Sequence, residues 1–338
     1  MSSLLIDPLL PAPALERLLG APPVALTVLA GGRNSRVYRV ATGTGETLAL
    51  KVYFRHPDDP RDRLGAETGA FRFLREQGVD CVPRVLGTDP EAGLGLFEFI
   101  AGARPSAPSL AELDEAAAFL VRLHQLRLRP EAGRLPPASE ARFSLRAVAE
   151  QIQGRLDALR DGAPALTRFL ADELEPAWAA VRGHCAGHGD LFERELEPAE
   201  RTLSPSDFGF HNAIRRDGQL VFLDFEYFGW DDPAKMISDL LLHPGMELGA
   251  GARLRMAEGI LAGLGQPGLR QRVDLAYPLF GIKWCLILLN EFLAGPLDRR
   301  RFAAPGQAIA ERQALQLDKA RQQLLRLRDH HDPFSLPH

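Results

Sequence analysis

Cysteine is scarce in this chain: Cys81, Cys185 and Cys285 are the only three among 338 residues, far apart and in no Cys-x-x-Cys spacing. That excludes a disulfide framework and a cysteine zinc site, and it fits a reducing compartment. An excess of one charge is also lacking, with 40 Lys and Arg against 44 Asp and Glu. The resulting net charge of −4 argues against a nucleic-acid or anionic-membrane surface. No apolar run approaches the roughly 20 residues that cross a bilayer, and the longest, around Trp284 to Leu289, is far shorter. The opening stretch MSSLLIDPLLPAPALERLLG has Asp7 and prolines among its apolar residues and no basic lead. It therefore reads as neither a signal peptide nor a spanning helix. Walker-A, His-Glu-x-x-His and Gly-x-Ser-x-Gly strings are missing, as are internal repeats and low-complexity arms. The expectation is a cytoplasmic protein, monomer or homodimer, that meets neither nucleic acid nor membrane.

What is present fits a soluble globular balance, 46% apolar and 25% charged. A chain of 338 residues is too long for one ordinary core, so two lobes are expected. Residues 24–54 read as three strands, VALTVLAGG, SRVYRVATG and TLALKVYF, the last two separated by Thr42 to Gly45. Residues 60–77 read as a helix stopped by Gly78, and VPRVLG and LGLFEFI as further strands. From Ser109 the character changes: Ser109 and Glu112 make a capping-box pattern, followed by Leu113, Ala117, Leu120 and Leu123 at helical spacing. Most of 140–185 and 250–330 also has helical character. The fold class expected is α+β: an antiparallel-sheet lobe with one key helix over residues 1–101, then a larger, mostly helical lobe over 102–338. Gly263-Leu-Gly265-Gln-Pro-Gly268 matches a dinucleotide fingerprint as a string, but it follows a helix and contains proline, so it reads as a helix–helix turn. His124, on an otherwise apolar helix, reads as a hydrogen-bonded core residue.

Five features occur in a meaningful order. Gly31, Gly32, Asn34 and Ser35 lie between two strand-like runs; glycines there let backbone N–H groups approach a phosphate, or simply make a hairpin turn. Lys51 lies in the apolar strand ALKVYF, where it meets either solvent or a partner. Glu67 shares a helix face with Leu64, Phe71 and Leu74, and a carboxylate on such a stripe needs a cation, for which Lys51 is the natural candidate. Asp207 is followed five residues later by Asn212, and Asp224 lies in the run LVFLDFEYFGWDDP. Between them Asp217-Gly218 is the strongest short hairpin signal. That turn sets Arg216 opposite Gln219 and Asn212 opposite Leu223, so Asn212 and Asp224 share the open end of the hairpin. Strict alternation would send their side chains to opposite faces, so at least one must leave strand geometry. Oxygens gathered there suit Mg²⁺, and the set reads as a phosphoryl-transfer kit.

The blocks AGGRNSRVYRV, ALKVY, ETGAFRFLREQGVDCVPRVLG, LFEFIAGARP, LVRLHQL, SDFGFHNAI and VFLDFEYFGWDDP resemble, over roughly residues 25–245, the aminoglycoside phosphotransferase and choline kinase family. The resemblance implies a bilobal protein-kinase-like fold and transfer of the γ-phosphoryl group of ATP to a hydroxyl of a small metabolite: a sugar, an amino alcohol or an aminoglycoside-like molecule. It implies Asp207 as the catalytic aspartate of a loop spanning 204–232, Asn212 and Asp224 as Mg²⁺ ligands, Lys51 on the α- and β-phosphates, and Glu67 holding that lysine. Glu98 to Ile100 would pair with adenine through their backbone. The family carries His-Gly-Asp where this chain has Pro205-Ser206-Asp207, which leaves open a nucleotide-binding pseudokinase or regulatory module. A His-Gly-Asp does occur at His188-Gly189-Asp190. That rival register is rejected because position 195 is Glu and no strand–turn–strand follows. For the acceptor, Glu226, Tyr227, Trp230 and Trp284 are candidates, Glu226 for charge and the aromatics for faces. The alternative is that Asp232-Pro233 caps a helix and the aromatics are core.

Overall fold

Alternating side chains and the turn at 42–46 fold residues 25–29 and 35–53 into three antiparallel strands in the computed structural model, which describes residues 10–29, 35–56, 59–246, 248–293 and 309–328. These strands are β1 (Ala25–Leu29), β2 (Ser35–Ala41) and β3 (Thr47–Tyr53). With β4 (Val85–Asp89) and β5 (Leu94–Glu98) they make an antiparallel sheet of order β1-β2-β3-β5-β4. A short helix, α1 (Ala12–Leu19), buries Ala14 and Leu15 in one cluster with Tyr38, Val40, Leu50, Val52, Leu94 and Leu96. The helix α2 (Arg63–Glu76) is inserted between β3 and β4. Its start is capped by Asp62, which accepts from the Gly65 N–H at 2.8 Å, and beyond its end Gly78 adopts φ +73°, the left-handed conformation expected of a glycine stop.

The remaining α-helices among the described residues are α3 (Leu110–Leu126), α4 (Leu145–Asp157), α5 (Pro164–Phe169), α6 (Glu175–Ala186), α7 (Asp190–Glu193), α8 (Pro233–Leu242), α9 (Ala250–Leu264), α10 (Leu269–Leu288) and α11 (Ile309–Leu327). Two small ladders accompany them. β6 (Thr202–Ser204) pairs with β9 (Gly229–Asp231), and β7 (Ala213–Arg216) pairs with β8 (Gln219–Phe222). The chain falls into two compact units: the described residues up to Pro105 with Asn212–Phe228, and Ser106–His211 with the described residues from Gly229 onward. The hairpin β7–β8 thus belongs to the sheet-bearing unit, and the second unit is mainly helical.

In the second unit the capping box at the start of α3 is complete: the Ser109 side chain accepts from the Glu112 N–H, and the Ser109 N–H donates to Glu112 Oε2 at 2.8 Å. α10 is its central helix, with Val273, Ala276, Leu279, Phe280 and Ile282 all at 0% exposure. The helical stretch Leu269–Phe292 is long and apolar enough to cross a membrane by length and composition, but 83% of that window is buried inside the protein. The 263–268 glycine string is the α9–α10 connection. Gly263 packs against Val121, and Gly265 and Gly268 take φ +59° and +74°. It is a helix–helix turn, as expected.

Candidate active site

Lys51 is on β3, opposite Val37 on β2 and Gly95 on β5, and only 6% exposed. A buried ammonium must be met by negative charge, and its Nζ donates to Glu67 Oε2 at 2.6 Å and to Asp224 Oδ1 at 2.5 Å. Glu226 Oε2 lies 3.4 Å away. Glu67, on the inner face of α2, also accepts from the Tyr53 hydroxyl at 2.5 Å and from the Phe225 N–H at 3.2 Å. Burial pushes its carboxyl up to about 7, against the pull of Lys51 and with the help of Asp224 and Glu226. Burial works against the Lys51 ammonium, but Asp224 and Glu67 outweigh it and raise its pKa. Arg63 closes the cluster, its Nε 3.8 Å from Glu226 Oε1.

The hairpin has the register expected from Asp217-Gly218: Arg216 pairs with Gln219, Ala213 with Phe222, and the Leu223 N–H donates to the Asn212 carbonyl at 2.8 Å. Asp217 and Gly218 take φ +52° and +81°, as a type I′ turn requires. Both residues at the open end leave strand geometry. Asn212 ends a 3₁₀ turn (Phe210–Asn212), and Asp224 adopts φ +65°. Among the described residues four other than glycine have positive φ, and Ser206, Asp217 and Asp224 are three of them.

Asp207 is in the second unit, just after β6. His211 Nε2 lies 3.1 Å and His243 Nε2 3.0 Å from its Oδ1. Burial alone would raise this carboxyl, but hydrogen bonds from the two histidines hold it well below the usual range. Ser206, in the left-handed conformation at φ +64°, is tied down on both sides. Its N–H donates to Ser204 Oγ at 3.0 Å, while its Oγ accepts from Lys235 Nζ at 3.1 Å and lies 3.4 Å from Asp231 Oδ2. Asp231 and Lys235 are themselves a buried ion pair at 2.6 Å. Gly209 has no room for a side chain, since a Cβ would strike Met246 Sδ and the His211 ring.

Gly31, Gly32 and Asn34 lie outside the described residues. Ser35 opens β2 at 2% exposure, opposite Tyr53. Glu98 ends β5 and pairs with Arg216 at 2.8 Å and Arg84 at 3.3 Å; Ile100 is buried. Glu226, expected in an acceptor pocket, is 5% exposed and part of the Lys51 cluster, and Tyr227 lies under Arg63. Trp230 donates from Nε1 to the Ala132 carbonyl, and Trp284 from Nε1 to Asp239 Oδ1 at 2.9 Å with its ring edge-on to His243. Asp232 does cap α8, accepting from the Ala234 N–H. Asp190 is exposed at the start of the one-turn helix α7. His124 is the core residue expected, 3% exposed with Nδ1 3.1 Å from Thr202 Oγ1. Sequence reasoning missed Tyr53, Arg63, Lys235 and above all His243. The one signal for His243 was a polar ring between an apolar helix and a Pro-Gly turn.

The model of the phosphotransferase enzyme family matches residues 25–196. No curated protein sequence matches the chain. Among solved structures, a choline/ethanolamine kinase family protein from Mesorhizobium loti superposes with TM-score 0.59 at 20% identity, covering 92% of this chain and 94% of its own. The gentamicin complex of APH(2″)-IIa gives 0.60 at 19%, covering 93% and 94%. ADP-bound aminoglycoside phosphotransferase APH(2″)-Ib gives 0.57 at 18%, covering 93% and 98%. These likenesses give the fold: the kinase-like α+β arrangement of an antiparallel N-terminal sheet and a largely helical C-terminal part.

Proposed function

The chain belongs to the phosphotransferase enzyme family, and from that membership we propose that it transfers the γ-phosphoryl group of ATP to a hydroxyl of a small metabolite. The observation that carries the reading is the buried Lys51, held between Glu67 and Asp224. A lysine so placed is a fixed positive charge for the α- and β-phosphates, and Glu67 sets its position. Ser35, with Gly31, Gly32 and Asn34 shortly before it in the sequence, would cover the phosphates, and the backbone of Glu98 to Ile100 would take the adenine.

The same cluster suits a divalent cation. Three carboxylates, Glu67, Asp224 and Glu226, lie within 4.8 Å of one another and outnumber the two cations, Lys51 and Arg63, that face them. Asp224 is the accessible member, its side chain 31% exposed. Asp224 and Asn212, at the mouth of one hairpin, would hold Mg²⁺, which when bound neutralises phosphate oxygens. Glu226 and Tyr227 are better read as support for this charge cluster than as acceptor contacts. Trp284, against His243, is the better candidate for the acceptor wall.

Asp207 aligns the acceptor hydroxyl. In the transfer the acceptor oxygen forms a bond to the γ-phosphorus as the bond from phosphorus to the ADP oxygen breaks, and late in the step, as that oxygen loses its basicity, the hydroxyl proton passes to the Asp207 carboxylate and from it to solvent. A carboxylate held strongly ionised by two histidines is a weak base, so its part is to accept the hydroxyl's hydrogen bond and fix its direction. The exposure of Asp190 supports Asp207 in this role.

The test is an ADP-release screen with Mg²⁺ and ATP against sugars, amino alcohols and aminoglycosides. Turnover is expected with one of these classes, and Asp207→Ala should lower it about 10²–10⁴-fold. ATP binding with no turnover across the panel would favour the nucleotide-binding module instead.

A further inference from the structure

We infer that His243 is a positioning residue for Asp207, a clamp brought from the turn after α8 to fix the carboxylate that meets the acceptor. The inference rests on the reading of Asp207 given above and adds a residue to it. His243 Nδ1 accepts the Gly245 N–H at 3.0 Å, so the ring's hydrogen must be on Nε2. That Nε2 points at Asp207 Oδ1, 3.0 Å away, and donates to it. His211 reaches the same oxygen from the catalytic loop at 3.1 Å. A carboxylate bound through one oxygen by two donors loses its freedom to rotate, which presents its second oxygen in one direction.

The clamp is itself held. The His243 ring lies parallel to His211, centroids 3.9 Å apart at 4°, and edge-on to Trp284 at 4.7 Å and 84°. Trp284 is anchored through Asp239 at 2.9 Å, and Asp239 pairs with Lys235 at 3.2 Å. Lys235 in turn bonds Ser206, the neighbour of Asp207. Both ends of the Asp207 turn therefore lead to one buried polar chain. The turn after His243 also bears directly on the loop, since Met246 Sδ accepts the Phe210 N–H at 3.3 Å. At Gly245 a Cβ would crowd both histidines at 3.2–3.3 Å.

Two histidines and one carboxylate are also the composition of a transition-metal site. The tautomer argues against it. A ligating imidazole gives its lone pair on one nitrogen to the metal and donates the other N–H to an acceptor. Here the far nitrogen of His243 faces a backbone donor, so the near one carries hydrogen.

The experiment pairs histidine NMR with kinetics on the full-length chain. In ¹⁵N-histidine spectra His243 should show a protonated Nε2 and a bare Nδ1, and Asp207→Asn should move its Nε2 resonance. An Nδ1-protonated ring, or a resonance indifferent to Asp207→Asn, overturns the inference whether or not any acceptor is turned over. In ADP release with Mg²⁺, ATP and an acceptor active in the panel, His243→Ala should lower kcat about 10- to 100-fold while KM for ATP stays within about twofold. His243→Gln, whose amide N–H reaches a similar distance, should recover most of the loss. An unchanged kcat in His243→Ala, or no recovery in a His243→Gln protein that melts like the wild type, also overturns it. A wild type inert towards the whole panel tells against phosphotransfer alone, and the spectra then decide the clamp.

Discussion

Tyr53 shows how closely the charge cluster is specified. Its hydroxyl is one of three donors on the Glu67 carboxylate, beside Lys51 Nζ and the Phe225 N–H. Tyr53 is 4% and Glu67 3% exposed, so no water replaces the phenol if it is removed. Tyr53→Phe should therefore cost about 1–3 kcal/mol of stability, the price of a hydrogen bond to a buried charge. Urea unfolding of wild type and variant at one pH measures it, and a difference under about 0.5 kcal/mol would mean that Glu67 does not rely on the phenol. The pairing of Lys51 with Glu67 was legible in the sequence because each is a charge stranded among apolar neighbours with a partner within reach. The share of Asp224 and Glu226 was not. Alternation predicts side-chain direction only in extended backbone. At Asp224, φ +65° ends that regularity, and the residues after it face where no periodicity indicates.

The helix α3 meets β6 through His124. Its Nδ1 contacts Thr202 Oγ1 at 3.1 Å, and Thr202 is fully buried. Burial, with Arg127 adding to it, lowers the imidazole from 6.5 to about 4. The folded ring thus resists a proton that the unfolded chain takes up at 6.5. The contribution is intact above pH 6.5, is lost progressively as pH falls from 6.5 to 4, and is constant below that. The difference amounts to about 3 kcal/mol. His124→Asn, whose amide falls where Nδ1 does, keeps a polar group facing Thr202 and does not titrate, so its unfolding free energy should fall less than that of the wild type between pH 6.5 and 4. Parallel curves would remove His124 as the source. Elements with local signals were legible: the Asp217-Gly218 turn and its register, the Ser109–Glu112 capping box and the Gly78 stop. α1 was not: it is only eight residues long and starts from Pro11 and Pro13, which fit a helix N-cap and first turn without announcing one. Nor was the turn from His243 to Met246. Its meaning comes from tertiary contacts with Gly209, Phe210 and His211, to which neither spacing nor propensity points.

The two compact units carry different reporters. Trp178, Trp230 and Trp284, the only three tryptophans, all lie in the mainly helical unit. Lys51, Glu67, Asn212 and Asp224, proposed to hold nucleotide and metal, all lie in the sheet-bearing unit. A ligand that binds only folded protein stabilises it by about 2.7 kcal/mol at a hundredfold excess over Kd. Mg²⁺ with ATP should therefore raise the calorimetric melting temperature by a few degrees, EDTA should remove most of the rise, and Lys51→Met should abolish it. Tryptophan fluorescence, blind to the sheet-bearing unit, distinguishes two cases. If the units unfold separately, the fluorescence midpoint should stay near its nucleotide-free value while the calorimetric transition moves. If they unfold as one, both should move together. A calorimetric shift that survives in Lys51→Met would instead place the nucleotide away from the β3 lysine and undo the assignment of the Lys51 cluster.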